Sequence, residues 1–131
     1  MLLDGKGLVE SFRSQVNEIE CAIVNQHVKN KQPLLFVDIR ETEETTLGHP
    51  MGSVLIPRGV LEMQLSNSPV YQSLIKKVPS AEQLPIYLLC RSGARSVLAT
   101  ASLQKMGYQN VYSVAGGFIA WQSQGLLIES E

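Results

Sequence analysis

The residues of this chain best suited to chemistry are Cys90-Arg91-Ser92-Gly93-Ala94-Arg95-Ser96. They follow a short apolar run, Pro85-Ile-Tyr-Leu-Leu-Cys90, and precede a stretch with helical spacing, so they read as a loop between a buried strand and a helix. In an open α/β sheet, ligands bind beyond the carboxyl ends of the strands, where this loop falls. Ser92, Gly93 and Ala94 are small enough for the backbone to curl until successive N–H groups point inward, which makes a nest for an anion. The helix that follows aims the positive end of its dipole at the same point. Arg91 and Arg95 add two cations, and no Asp or Glu occurs between Glu82 and Glu129 in sequence. Such surroundings favour a thiolate over a thiol. The segment is therefore expected to hold a nucleophile, Cys90, beside a cradle for a small oxyanion or a persulfide. Most cysteines are inert core fillers, but a tight turn with two arginines is a poor place for one. Cys21 keeps the inert reading, since it sits in a predicted helix beside Ile23 and Val24 with no basic cluster.

A loop of this kind needs a scaffold. Residues 34–39, 53–57 and 85–90 are short apolar runs bounded by Pro and Gly, which suits strands covered on both faces. Residues 110–115 form a more mixed fourth run that ends at Gly116-Gly117. Between the runs lie helical patterns. One opens near Pro69 and carries Val70, Leu74, Ile75 and Val78. Another spans residues 94–106 with Val97, Leu98, Ala101 and Met106 on its apolar positions, and Gly107 supplies the stop. Alternating strands and helices predict an α/β domain around a mostly parallel sheet. Residues 7–14 and 21–29 read as helix, and residues 16–19 read either as a short edge strand or as more helix. The polar stretch 41–49 reads as an exposed loop or a short helix.

Composition limits the partners. A length of 131 residues predicts one domain spanning residues 1–131, with residues 1–15 as an N-terminal helical extension. The apolar share of 44% and charged share of 18% argue against extended disorder. Eleven Lys and Arg against twelve Asp and Glu leave a formal charge of −1, which gives nucleic acid or an anionic membrane no broad footprint. No apolar run approaches the ~20 residues of a spanning helix, and the opening MLLDGKGLVE lacks the features of a secretory signal. A cytoplasmic protein is expected. Two cysteines are too few for a disulfide framework or a cysteine-rich zinc site, and two scattered histidines make no convincing metal site, so no metal or organic cofactor is expected.

The sequence resembles the rhodanese-like domain family of sulfurtransferases over nearly its whole length, on three separated segments. Asp38-Ile39-Arg40-Glu41 with Glu44, Gly48-His49, Gly52 and Ile56-Pro57 is similar to the family's upstream signature. Cys90 to Ser96 is similar to its active-site loop, and Val114-Ala-Gly-Gly-Phe-Ile-Ala-Trp121 with Gly125 to its C-terminal signature. Ile56-Pro-Arg-Gly-Val-Leu-Glu62 is also similar to a single-domain bacterial-type branch. The resemblance implies a three-layer α/β domain with a mostly parallel central sheet flanked by helices. It implies that Cys90 takes a sulfane sulfur from a donor such as thiosulfate, or another small sulfur anion or persulfide, and passes it to cyanide, a small thiol or a protein thiol. Residues Arg91, Ser92, Gly93, Ala94, Arg95 and Ser96 then bind the substrate, with Arg95 the better candidate for recognising the donor and Arg91 turned to solvent and the acceptor. Asp38 and Arg40 are implied to support the loop as an ion pair at a strand end. His49 is expected to order the turn before Gly52, His27 to lie on a surface helix without a visible partner, and Trp121 and Phe118 to anchor the last helix in the core.

Two departures from the family pattern stand out. Pro50 falls where the pattern has Ile after Gly-His, which changes the turn, and Leu55 replaces an Asn before Ile-Pro, which removes a polar group near the supporting pair. Two competing functions are set against sulfur transfer. Phosphatases and arsenate reductases on the related fold use Cys-x5-Arg, whereas Cys90 to Arg95 is Cys-x4-Arg, a smaller nest that suits a sulfur atom better than a phosphoryl group. A noncatalytic binding or regulatory module would be expected to lack the cysteine or to fill the nest with bulk.

Overall fold

The structure is a computed structural model that describes residues 1–130. In chain order the strands are β1 Asn17–Ile19, β2 Leu35–Asp38, β3 His49–Pro50, β4 Val54–Leu55, β5 Ile86–Leu89, β6 Val111–Val114 and β7 Ile128–Glu129. The helices are α1 Gly5–Arg13, α2 Cys21–Lys29, α3 Thr42–Thr45, α4 Leu61–Gln64, α5 Pro69–Leu74, α6 Ala94–Lys105 and α7 Gly117–Ser123. Five strands form a parallel sheet in the order β1-β6-β5-β2-β4, and β3 pairs antiparallel with β7 beside it.

Alternation along the strands explains why the central runs are apolar throughout. Leu35, Val37 and Ile39, with Ile86 and Leu88, face one way and pack under Leu61, Leu65 and Leu103 of the α4–α6 side. Phe36, Tyr87 and Leu89 face the other way, against Cys21 and Val24 of α2 and Trp121 of α7. Each fully buried Leu or Ile in these layers contributes about 1.5–3 kcal/mol relative to exposure. Trp121 is wholly buried, lies 5.4 Å from the Phe36 ring centroid, and donates its indole N–H to the Leu127 carbonyl at 2.9 Å. A smaller third cluster seats α1 on α6 through Val9, Val16 and Val97.

Residues 16–19 take the strand alternative, because β6 offers an open edge that β1 joins in parallel. The run 53–57 shortens to Val54–Leu55: Ile56 and Arg58 still donate to the Asp38 and Ile39 carbonyls, but after Pro57 the chain turns into a single 3-10 turn at Arg58–Val60. The polar stretch 41–49 contains the short helix α3, opened by a capping box in which Glu41 and Glu44 satisfy each other's backbone N–H. His27 has a partner after all. It lies on α2 between the inward-facing Val24 and Val28, so its ring reaches the sheet, and Nδ1 is 2.7 Å from the Tyr87 hydroxyl. Among the described residues no helix is long and apolar enough to cross a membrane.

Candidate active site

Strand β5 delivers Cys90 to the carboxyl edge of the sheet, where its side chain is buried. The chain then turns back on itself. Gly93 sits at φ +104°, a conformation that side chains strongly disfavour, and this points two amides of the turn at one atom. The N–H groups of Gly93 and Ser96 donate to Cys90 Sγ, with N···S distances of 3.1 and 3.4 Å. Ser96 Oγ lies 3.4 Å from the same sulfur, donates to the Gly93 carbonyl at 3.2 Å, and is 2.7 Å from Ser113 Oγ on β6. A sulfur anion is an acceptor only, and this surface offers it donors at fixed positions.

The other side of the loop rests on α7. Phe118 N–H donates to the Cys90 carbonyl at 2.8 Å and Ile119 N–H to the Arg91 carbonyl at 3.1 Å, so the free amides of a helix start hold the loop's backbone. Gly117 makes this approach feasible. A Cβ there would fall 2.5 Å from the Cys90 oxygen and 2.6 Å from the Arg91 oxygen, and its φ is +57°.

Two ion pairs brace the loop from the upstream signature. Asp38, wholly buried at the end of β2, accepts from Arg40 Nη2 at 2.8 Å and from Nε at 3.1 Å. Arg40 in turn donates to the carbonyls of Glu44 at 3.1 Å and Gly48 at 3.0 Å, and its guanidinium lies 3.8 Å over the Phe118 ring. That second role of Phe118 goes beyond anchoring a helix. Glu44 then reaches the loop itself: its two oxygens accept from Arg95 Nη1 and Nη2 at 2.7 and 2.9 Å. The Arg95 guanidinium holds the Glu44 carboxyl down at about 2 against the opposing effect of burial, and Glu44 in turn raises the pKa of Arg95. The acid-free stretch from Glu82 to Glu129 therefore does not leave the loop purely cationic, because an acid 51 positions upstream of Arg95 closes on it.

The remaining expected residues fall at the loop or around it. Arg91 and Ser92 are exposed, Ala94 and Arg95 half-buried, and Gly93 and Ser96 buried. His49 is buried with Nδ1 2.7 Å from Ser53 Oγ, across the turn that contains Gly52. Pro50 supplies the carbonyl that accepts from Ser53 Oγ at 2.6 Å, and Leu55 lies opposite Asp38 in the β2–β4 ladder. Cys21 is wholly buried, and burial pushes its thiol up to about 11, with the Glu20 charge adding to the effect. Sequence reasoning assigned no role to Glu44, Ser113 or Gly117. All but Ser113 lie inside the three matched segments, so their places in those signatures were the available signal; a lone serine in a strand gave none.

A crevice of about 320 Å3 opens beside the loop between Arg40, Glu44, Leu47, Arg91, Phe118 and Ile119. A larger depression, about 670 Å3, lies at the opposite end of the sheet around Pro33, Pro85 and Asn110, and no cysteine lines it. Position relative to the thiol decides between them, in favour of the smaller.

This geometry has counterparts. A protein of Allochromatium vinosum named "Sulfurtransferase" is 34% identical over 113 residues, covering 86% of this chain and 94% of the relative. Among solved structures, a Rhodopseudomonas palustris protein of unknown function described as a possible tyrosine phosphatase superposes with a TM-score of 0.80 at 28% identity, covering 98% of this chain and 96% of its own. The thiosulfate sulfurtransferase of Pseudomonas aeruginosa superposes with a TM-score of 0.78 over 96% of this chain and 23% of its own, and at 18% identity that likeness speaks for the fold alone. The three-layer arrangement around a parallel sheet is thus that of rhodanese-like neighbours. The sequence pattern of the Rhodanese-like domain matches residues 21–124, from the start of α2 through α7 and including the residues that hydrogen-bond the Cys90 sulfur, and the chain belongs to that family.

Proposed function

We propose that this chain is a sulfurtransferase that carries a sulfane sulfur as a persulfide on Cys90. The observation that carries the reading is the convergence of the Gly93 and Ser96 amides on Cys90 Sγ. Cys90 thiolate attacks the outer sulfur of a donor; the new S–S bond forms as the donor's own bond breaks, and with thiosulfate the leaving group is sulfite. The persulfide so formed projects into the donors of the nest, which stabilise its charge. An acceptor thiolate or cyanide then attacks the outer sulfur and returns Cys90 as thiolate, so the cycle is a double displacement with no net redox change. Ser92, Gly93, Ala94 and Ser96 shape the cradle, Arg91 faces the incoming partners, and Asp38 and Arg40 hold the loop's support.

Phosphoryl chemistry is the second reading, favoured by the description of the Rhodopseudomonas palustris neighbour. Two features weigh against it here: the Cys-x4-Arg spacing, and the engagement of Arg95 by Glu44, which occupies the guanidinium such a reaction would need. Intact-protein mass spectrometry after incubation with thiosulfate separates the readings. One added sulfur on the wild type, absent from Cys90→Ala and removed by cyanide, is the expected result. No adduct on prereduced wild type, together with hydrolysis of an aryl phosphate, would replace sulfur transfer by the phosphatase reading.

A further inference from the structure

The formal charge of −1 conceals an uneven distribution. Residues 29–33, 75–85 and 105–110 form the end of the sheet opposite Cys90, and they hold Lys29, Lys31, Lys76, Lys77 and Lys105 against one acid, Glu82. Part of the cause is topological. Helices that connect parallel strands run back against them, so α2 and α6 finish beside the amino ends of β2 and β6. Lys29 and Lys105 lie in the last turns of those helices, where the dipole favours a cation. The other three need a different reason. Lys76 and Lys77 close a single 3-10 turn, and Lys31 stands just past α2 at φ +54°. Among the described residues it is the one side chain other than glycine in the left-handed region, where glycine would be unstrained, so local stability does not account for it. None of the five ammonium groups makes a hydrogen bond or ion pair among the described residues.

These lysines surround the depression of about 670 Å3, which Lys77 itself lines. Its apolar lining includes Pro33, Pro79 and Pro85, and its polar lining includes the side chains of Gln32, Gln83 and Gln109, which have no partner among the described residues. Each of those amides offers both donors and an acceptor, as the backbone of an extended polypeptide requires. The nearby acids are directed or engaged elsewhere. Glu82 lines a separate depression with Tyr71 and Tyr108; Glu62, on the flank towards α6, is held by Arg58 at 2.8 Å; and Glu129, on the flank towards α2, accepts from the Gly52 N–H at 3.4 Å. No arginine or aromatic ring lines the groove, so it lacks the bidentate phosphate contacts and stacking surfaces that hold nucleic acid.

We infer that this groove is a docking site for an acidic polypeptide segment in extended conformation. The segment's backbone pairs with the Gln32, Gln83 and Gln109 amides, and its carboxylates meet Lys31 and Lys77. The inference does not depend on sulfur transfer. A partner seated at the amino ends of the strands leaves the Cys90 loop, at their carboxyl ends, open to its substrates.

The test is fluorescence anisotropy of a fluorescein-labelled peptide in which Glu alternates with Thr, titrated with the full chain. Saturable binding is expected, weakened about fivefold or more in Lys77→Glu. Lys6→Glu makes the same change in net charge on α1, and its affinity is expected to stay within about twofold of wild type. Lys31→Gly relieves the left-handed strain, so it is expected to melt higher than wild type and to bind about threefold more weakly. The same peptide with N-methylated Thr amides keeps every charge and loses backbone donors; it is expected to bind about fivefold more weakly or worse. Should Lys77→Glu fail to fold by circular dichroism, Lys76→Glu beside it serves instead. Absence of saturable binding overturns the inference, and so does equal weakening by Lys6→Glu, wild-type affinity in Lys31→Gly, or undiminished affinity of the N-methylated peptide. Tighter binding of a labelled oligouridylate or of phosphatidylserine vesicles would give the surface to nucleic acid or membrane and overturn it too. Iodoacetamide labelling of Cys90 under saturating peptide is expected to be unchanged, and protection there would place the peptide at the loop instead. None of these readouts requires sulfur transfer, so the two proposals fail separately.

Discussion

The two cysteines share burial and differ in what surrounds the sulfur. Cys21 Sγ lies 3.6 Å from the Ala115 carbonyl and 3.7 Å from the Gly117 carbonyl, acceptors that suit a thiol and repel a thiolate. Cys90 Sγ faces N–H donors instead. Native protein treated with iodoacetamide near pH 8 is therefore expected to take one label, on Cys90, and the denatured chain two, read by peptide mass spectrometry; equal labelling of both in the native state would contradict the assignment. The raised pKa of Cys21 has its own signature. The fold prefers the thiol, so stability is lost as pH climbs from about 9 towards about 11, and Cys21→Ala should blunt that loss. Gly117 gives the second residue-scale prediction. In Gly117→Ala the methyl group must push the Cys90–Arg91 backbone aside and the residue must keep a left-handed conformation, at a cost of about 1–3 kcal/mol in stability. Because the displaced backbone carries the nucleophile, kcat should also fall by about tenfold or more. A variant that melts lower but takes up sulfur at the wild-type rate would show that α7 supports the fold without aiming the thiol.

At the scale of elements, the site is a strand end, two helix starts and a four-residue helix held together by ion pairs. The acid limb of stability tests how much α3 depends on its pair with α6. Glu44 titrates at about 2 in the fold and near 4.5 when free of it. A carboxyl whose pKa is depressed by folding contributes stability above its unfolded pKa, and that contribution is lost as pH falls from about 4.5 through about 2. Urea midpoints at pH 5 and pH 3 should therefore converge in Glu44→Gln relative to wild type; parallel losses in the two proteins would mean that the pair adds nothing. Elements with strong local causes were legible in the sequence. The start of α5 at Pro69, the end of α6 before Gly107 and the whole span of α2 follow from spacing and punctuation alone. The Cys90 loop was legible for the same reason, since its small residues and charges are contiguous. What could not be read locally was whatever depends on a distant partner. β3 and β7 are two-residue strands that exist only because they meet, and Glu44 gains its role only when the upstream signature folds over α6. His27 looked solitary for the same reason, because Tyr87 lies 60 positions away.

Across the whole molecule, the part outside the family match is also the part that supports the loop's helix from behind. The match begins at residue 21, yet α1 precedes it and packs Val9 and Phe12 against Val97, Leu98 and Ala101 of α6. Val97 lies just one position beyond Ser96, whose amide and hydroxyl contact the nucleophile, so α1 presses on the turn that sets the nest. The cluster is small and separate from the two main cores, which leaves few neighbours to compensate for a lost methyl group. Val9→Ala and Val97→Ala are each expected to cost about 1–3 kcal/mol, whereas Val70→Ala, at an exposed position, should fall within about 0.5 kcal/mol of wild type. For a chain of this length 1 kcal/mol corresponds to roughly 4 °C in Tm, so calorimetry resolves the difference. Because Val9 and Val97 share one cluster, the double variant should lose less than the sum of the singles, and additivity within about 0.5 kcal/mol would show that α1 is not seated on α6. Sulfur loading of Cys90 in the same variants then separates support from ornament: if α1 stiffens the nest, loading slows with each loss of packing while the mass of the adduct stays at one sulfur.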